Sequence, residues 1–123
     1  MSIFHKHDDQ TFELQGNHMT GLATPSRGAE KVEVWRAKID IGAATPPHSH
    51  DDEEIIVVLK GRGMAKVGDQ EQPFEEGDTL ILPPRQVHQL VCTDSAIDGV
   101  VAMPLGSPVR TPEGQVMELP WRK

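Results

Sequence analysis

The chain has 123 residues, enough for one domain with a single modest core and too few for two. Its 12 basic against 19 acidic side chains give a formal charge of -7, which argues against nucleic acid or an anionic membrane as the main partner. No stretch is apolar enough to cross a bilayer and the polar N-terminus lacks a signal-peptide core; with Cys92 the single cysteine, a reducing, cytoplasmic setting is the expectation.

Residues 1–30 read as an N-terminal arm. His5 and His7 share the local spacing of a metal-binding pair but have no following glutamate or apolar strand, so they are taken as solvated. Phe12 and Leu14 alternate with polar residues and suit an edge strand, within the chain or laid across a neighbouring subunit. Gly16, Gly21, Pro25 and Gly28 mark 16–28 as turn-rich; His18 lies inside it, a rim histidine or a pocket residue.

A core region follows, over about 31–103. Residues 31–41 form an apolar strand with Val32, Val34, Arg36 and Lys38 on one face and Glu33, Trp35, Ala37, Ile39 and Ile41 on the other. If the first face is inward, Arg36 is a candidate anchor for an anionic substrate; otherwise it is a surface arginine. Pro46 and Pro47 hold an extended approach to His48, and His48, His50 and Glu54 share strand parity. The strand from Glu54 to Lys60 is apolar on both faces and needs cover on both.

Further along, Gly61-Arg62-Gly63 reads as a turn, and 64–67 pairs with 70–74 through Gly68-Asp69, where a glycine-first loop suits a type II′ hairpin. A turn at 75–78 leads to the strand 79–82, which Pro83-Pro84 stops. Strands from Val87 and from Ile97 are separated by a turn at Asp94-Ser95. This is five or six short strands with no trustworthy helical period, an all-β sandwich or barrel. Residues 104–123, with four prolines, form an extended tail whose Val109, Val116, Met117, Leu119 and Trp121 let it dock. It can cover the barrel's outer face or close a pocket.

The glycine, histidine and glutamate spacing of this middle region resembles the first cupin signature, Gly-x5-His-x-His-x3-4-Glu-x6-Gly, filled by Gly42, His48, His50, Glu54 and Gly61. Gly77, Pro83 and His88 fit the second signature, Gly-x5-Pro-x-Gly-x2-His-x3-Asn, while Arg85 replaces its last glycine and Cys92 its asparagine. The resemblance implies a single jelly-roll β-barrel spanning 1–123 and one divalent transition metal on His48, His50, Glu54 and His88. Iron, manganese, nickel, copper, cobalt and zinc all suit three imidazoles and a carboxylate.

In an octahedral ion these four ligands leave two positions for water, substrate or dioxygen, which is the mark of a catalytic site. With unperturbed histidines, affinity for the metal would fall between pH 7 and 5. The chain has no tyrosine, which leaves Glu53, Arg36, His18 and Cys92 as proton carriers; Arg36, Cys92 and His18 are also the candidate substrate contacts. Cys92 shares parity with His88, although a small buried hydrophobe is its alternative role.

Three functions follow for a small-molecule ligand or substrate. The first is a metal-dependent dioxygenase-type enzyme. The second is a Lewis-acid isomerase, epimerase or lyase on a carbonyl or sugar, and the third a cupin that binds a ligand or metal without turnover. The apolar row Ile55, Val57 and Leu59 opposite the ligands, together with the pairing habit of cupins, points to a homodimer.

Overall fold

A computed structural model describes residues 1–123. The chain folds into nine strands: β1 (Thr11–Leu14), β2 (Asn17–Ala23), β3 (Val32–Ile39), β4 (Ser49–His50), β5 (Glu54–Val67), β6 (Gln70–Glu75), β7 (Thr79–Leu82), β8 (His88–Pro104) and β9 (Val109–Arg110). Helix is confined to single 3₁₀ turns at Lys6–Asp8, Pro25–Arg27 and Pro120–Arg122. The antiparallel strands run in the order β1-β2-β3-β8-β5-β6, β7 joins the first half of β5, and β4 pairs with β9 separately. This is the jelly-roll barrel that the resemblance implied.

Two long strands do the bending. β5 buries Glu54, Ile56 and Val58, then switches to Gly63 and Ala65; β8 buries His88, Leu90 and Cys92, then Ile97, Gly99, Val101 and Met103. An even-to-odd switch needs one extra residue, and register shifts between Val58 and Gly63 supply it. The turns expected at 61–63 and 94–95 are therefore bulges within continuous strands. Gly61 has φ of 88°, and a Cβ there would sit 2.0 Å from the Ala96 carbonyl oxygen, so the closing glycine of the first signature is the residue that lets β5 fold against β8. The hairpin through Gly68-Asp69 is present, with Val67 opposite Gln70.

The amino-terminal third differs from its expectation. Residues 17–23, taken as turn-rich, are a full strand paired with β3, and Phe12 lies opposite Met19 in the same chain. Alternating burial of Asn17 and Met19 was hidden by three glycines in thirteen residues. In β3 the inward face is Glu33, Trp35, Ala37 and Ile39, which leaves Arg36 outside. The apolar core draws on Met19 and Trp121 as well as on residues 35–103, so both flanking segments pack into it. The tail closes the pocket: Met117, Leu119 and Trp121 line the cavity that also holds the histidines.

Glu33 is 1% exposed, and a carboxylate at such depth requires a partner. Arg122 supplies one, with Nε 2.9 Å from one oxygen and Nη2 bonded to the other and, at 2.7 Å, to the Ser107 carbonyl. Ser26 N–H donates to the Lys123 carbonyl at 3.2 Å. These contacts pin the tail across β2 and β3.

Candidate metal centre

The two signature motifs are zipped together by backbone hydrogen bonds. His48 and His88 exchange N–H···O bonds of 3.1 and 2.7 Å, which places them directly opposite in an antiparallel bridge with both side chains on one face. His50, two residues on, has the same parity, and Glu54 opens β5 across from Leu82. The result is a group of His48, His50, Glu54 and His88 whose nearest donor atoms all lie within 4.8 Å of one another. His48 is half-buried and the other three are buried, so the cluster faces the barrel interior with one side approachable.

The donor atoms are arranged for a common centre rather than for one another. His48 Nε2 and His88 Nε2 face each other at 3.1 Å, and His88 Nε2 is 3.9 Å from Glu54 Oε2. Glu54 Oε2 also touches His50 Nε2, yet neither atom completes a hydrogen bond. Buried polar atoms left this way cost about 1–3 kcal/mol each, which a bound cation would recover. His48 Nδ1–H donates to the Pro46 carbonyl at 2.6 Å, fixing the tautomer that leaves Nε2 free as a ligand. Three imidazole nitrogens and one carboxylate fit a divalent transition ion.

Electrostatics prepare the same state. Burial lowers the His48 pKa, and burial takes His88 down to about 4, although the Glu54 charge opposes it. Both rings are thereby kept neutral and ready to ligate at lower pH than free imidazole. Burial pushes Glu54 up, but its contact with His50 and the three nearby rings outweigh this and hold it below the usual carboxylate range.

A stability prediction follows. The unfolded chain takes up protons near pH 6.5, whereas folded His88 does so near 4, so the unfolded state binds more protons in between. Stability of the metal-free protein should fall as pH drops through that window, by about 1.4 kcal/mol per pH unit for each such histidine. Thermal melts of chelator-treated protein from pH 7 to 4 measure it; a flat melting temperature would contradict the burial account.

The loop 83–87 braces the centre, with Arg85 N–H donating to the His50 carbonyl at 2.7 Å. Arg85 holds φ of 62°, the left-handed region that costs a side-chain-bearing residue about 1–2 kcal/mol. The backbone thus explains why the signature has glycine there. Arg85→Gly should stabilise the fold by about 1 kcal/mol, read by denaturant unfolding, because relief of the strain outweighs the 3.5 Å contact to the Asp51 carbonyl and the solvent-screened attraction to its carboxylate. A destabilised variant would show that these contacts outweigh the strain.

The other candidates lie elsewhere. Arg36 is on the outer face, bound to Asp98 at 2.9 and 2.7 Å. His18 pairs with Asp40 at 3.1 Å on the rim, and Cys92 is buried with its thiol donating to the Ser95 carbonyl at 3.2 Å. None of the three lines the cavity, and neither does the exposed Glu53. Met117, Leu119 and Trp121 close the pocket, one of the two placements open to the tail, whereas Asn17 lies in a segment expected to be turn-rich and Trp35 on a strand whose inward face the pattern left open. A wider cleft of about 850 Å³ between β6 and β7 contains no histidine or cysteine, and the His/Cys/Asp/Glu cluster that could hold a metal lies elsewhere. No helix is long and apolar enough to cross a membrane.

Comparison with known proteins agrees with this geometry. Residues 35–103 match the family model described as a cupin domain. The chain is 32% identical over 83 residues to auxin-binding protein 5 of Zea mays, covering 60% of this chain and 55% of that protein. It spans about half the length of the curated relatives it matches. Among solved structures, the polyketide cyclase RemF of Streptomyces resistomycificus superposes with a TM-score of 0.78 at 22% identity, covering 98% of this chain and 90% of that one. Oxalate decarboxylase of Bacillus subtilis gives 0.75 at 15% identity, over 82% of this chain and 28% of that one. The matched family model covers the two histidine motifs and the strands that carry them, and the chain belongs to the cupin domain family.

Proposed function

We propose that the protein binds one divalent transition metal through His48, His50, Glu54 and His88 and acts on a small, largely apolar molecule by dioxygenase-type chemistry. The observation that carries this reading is the composition of the cavity wall. Beyond the four ligands, no Asp, Glu, Lys, Arg, Cys or further His lines it. Isomerisation, epimerisation or lyase chemistry on a sugar or carbonyl needs a positioned proton carrier, and none of Glu53, Arg36, His18 and Cys92 reaches the cavity.

When bound, the ion supplies a redox and Lewis-acid centre with open positions for an oxygen-donor substrate and dioxygen. The chain's own part is to hold and shield it. His48 is oriented by Pro46, Glu54 contributes the single negative charge, and Trp35, Ile56, Leu90 and Val101 exclude water around the bound molecule. In such surroundings, attraction between the ion and an oxygen donor is stronger than in water.

Oxygen uptake in a screen of aromatic and enolisable oxygen donors, with ferrous or cupric ion added, tests this. Uptake that depends on the ion and is abolished by His50→Ala supports it. Saturable, ion-dependent binding without uptake would instead favour the non-catalytic reading, to which the auxin-binding relatives lend weight.

A homodimer in a reducing, cytoplasmic compartment completes the proposal; the one cysteine is buried and unpaired. Val57 is 40% and Ile81 64% exposed. Across the outer face Val34, Ala102, Ile55 and Ile81 stand in one register row, with Val100 and Val57 in the next. Such a band is unfavourable in water at about 25 cal/mol per Å². Sedimentation should give a dimer that Val57→Glu disrupts. A monomeric unmutated protein would rule the dimer out.

A further inference from the structure

The residues that line the histidine cavity differ in exposure. Leu14, at 51%, and Pro46 are exposed, and His48, Met117 and Leu119 are half-buried. Every other lining residue is buried. A side chain that borders a cavity and also meets solvent stands where the two join, so these five residues mark the opening.

Bonds and packing elsewhere in the fold join the five into one ring. The Asn17 side-chain nitrogen donates to the carbonyls of Leu14 and Ala44 at 3.2 and 2.9 Å, which ties the β1–β2 turn to the loop leading into Pro46. Within that turn Gln15 and Gly16 have φ of 50° and 82°, the left-handed pair of a tight two-residue hairpin. A Cβ on Gly16 would sit 2.7 Å from the Ala43 Cβ, so Leu14 is held against the loop rather than carried freely. The Pro46 carbonyl in turn accepts from His48 Nδ1. His50 lies opposite Val109, whose carbonyl accepts from Met117 N–H at 2.7 Å. Just past Leu119, the turn Pro120–Arg122 packs against β1, and the ring closes at Leu14.

We propose that this ring is the single entrance to the metal centre and that Leu14 is its specificity-determining residue, admitting uncharged apolar molecules about one ring wide and barring broader ones. Apart from His48 the rim side chains are apolar, so a charged ligand would shed its water there with no partner in return. His48 is the least buried of the four ligands and sits on the rim, so a molecule that passes Leu14 arrives at the cluster. The cavity measures about 80 Å³. An apolar cavity of about 150 Å³ takes up one benzene. A ring held at the metal centre therefore extends back into the opening, between Leu14 and the tail. This inference rests on the metal-site reading above and adds to it the limit on substrate size.

The test is stopped-flow binding of imidazole and of the broader, fused-ring benzimidazole to cobalt-loaded protein, followed by the visible absorption of the metal. Imidazole should associate at least about tenfold faster than benzimidazole in the unmutated protein. Leu14→Ala should close that gap by speeding benzimidazole, with imidazole changed by less than about twofold. A gain in rate cannot come from misfolding. Ile3→Ala, at a residue 68% exposed and outside the cavity, should leave the gap as it is. Equal rates in the unmutated protein, a gap that survives in Leu14→Ala, or failure of both compounds to reach bound cobalt would overturn the entrance and leave the metal site standing. Protein that retains no cobalt would overturn the metal-site reading instead. The entrance is then read without metal: dissolved dioxygen, small and paramagnetic, should broaden the His48 ring-proton signals, and Leu14→Trp should reduce that broadening. Broadening unchanged in Leu14→Trp would overturn the entrance there too.

Discussion

Replacing His50 with alanine is expected to take bound metal from one ion per chain to near zero after dialysis. His50 is 2% exposed, and its Nε2 lies against Glu54 Oε2 at the middle of the cluster. Its removal leaves two imidazoles and one carboxylate, with no other donor within reach of the gap. Loss of a supporting partner alone weakens metal affinity about 10–100-fold, and loss of a ligand should exceed that. Glu54→Ala should act in the same way, since it removes the only negative charge among the four. Glu53→Ala is the control: its side chain is exposed and outside the cavity, so metal content should not change. Elemental analysis of the three variants beside the unmutated protein measures this, and the reverse order of Glu53 and Glu54 would identify the wrong carboxylate.

The second large effect is on stability. Arg122→Ala should destabilise the fold by about 3–5 kcal/mol, because it strands the Glu33 carboxylate at 1% exposure with no counter-charge. Removing both partners in Glu33→Leu/Arg122→Ala should cost less than Arg122→Ala alone, since the expense lies in the unpaired charge rather than in the pair itself. Chemical denaturation gives both values, and faster proteolysis at 104–123 in Arg122→Ala would show the tail released. If Arg122→Ala unfolds no more easily than the parent, Glu33 must find solvent or another partner, and the tail is not held as described.

The parts of this molecule that were legible in its sequence are those set by local spacing. His48, His50 and Glu54 are related by strand parity, and their convergence with His88 depends on a bridge whose two halves each carry a recognisable motif. The two faces of β5 around Ile56 and Val57 were equally readable, because both are apolar and alternate as a strand must. Parity failed where an extra residue entered. Gly61 and Asp94-Ser95 carry turn chemistry, and the backbone uses it for bulges that bend continuous strands, a choice made by the long-range pairing of β5 with β8.

The inward face of β3 was undecidable for a related reason. Glu33 looks like a surface residue until Arg122, 89 positions away, arrives to neutralise it, and so the face carrying Trp35 could not be told from the face carrying Arg36. The cavity wall was the least legible part. Asn17 and Trp121 gain their meaning from segments at opposite ends of the chain that meet only in the folded barrel.

The most direct measurement is the metal content of protein purified without an affinity tag, reconstituted in turn with ferrous, manganous and zinc ions and dialysed. One tightly held ion per chain is expected for at least one of these metals, with X-ray absorption giving a first shell of three imidazole nitrogens and carboxylate oxygen. Protein that retains no ion above its His50→Ala variant, or whose first shell lacks imidazole, would contradict the four-residue site.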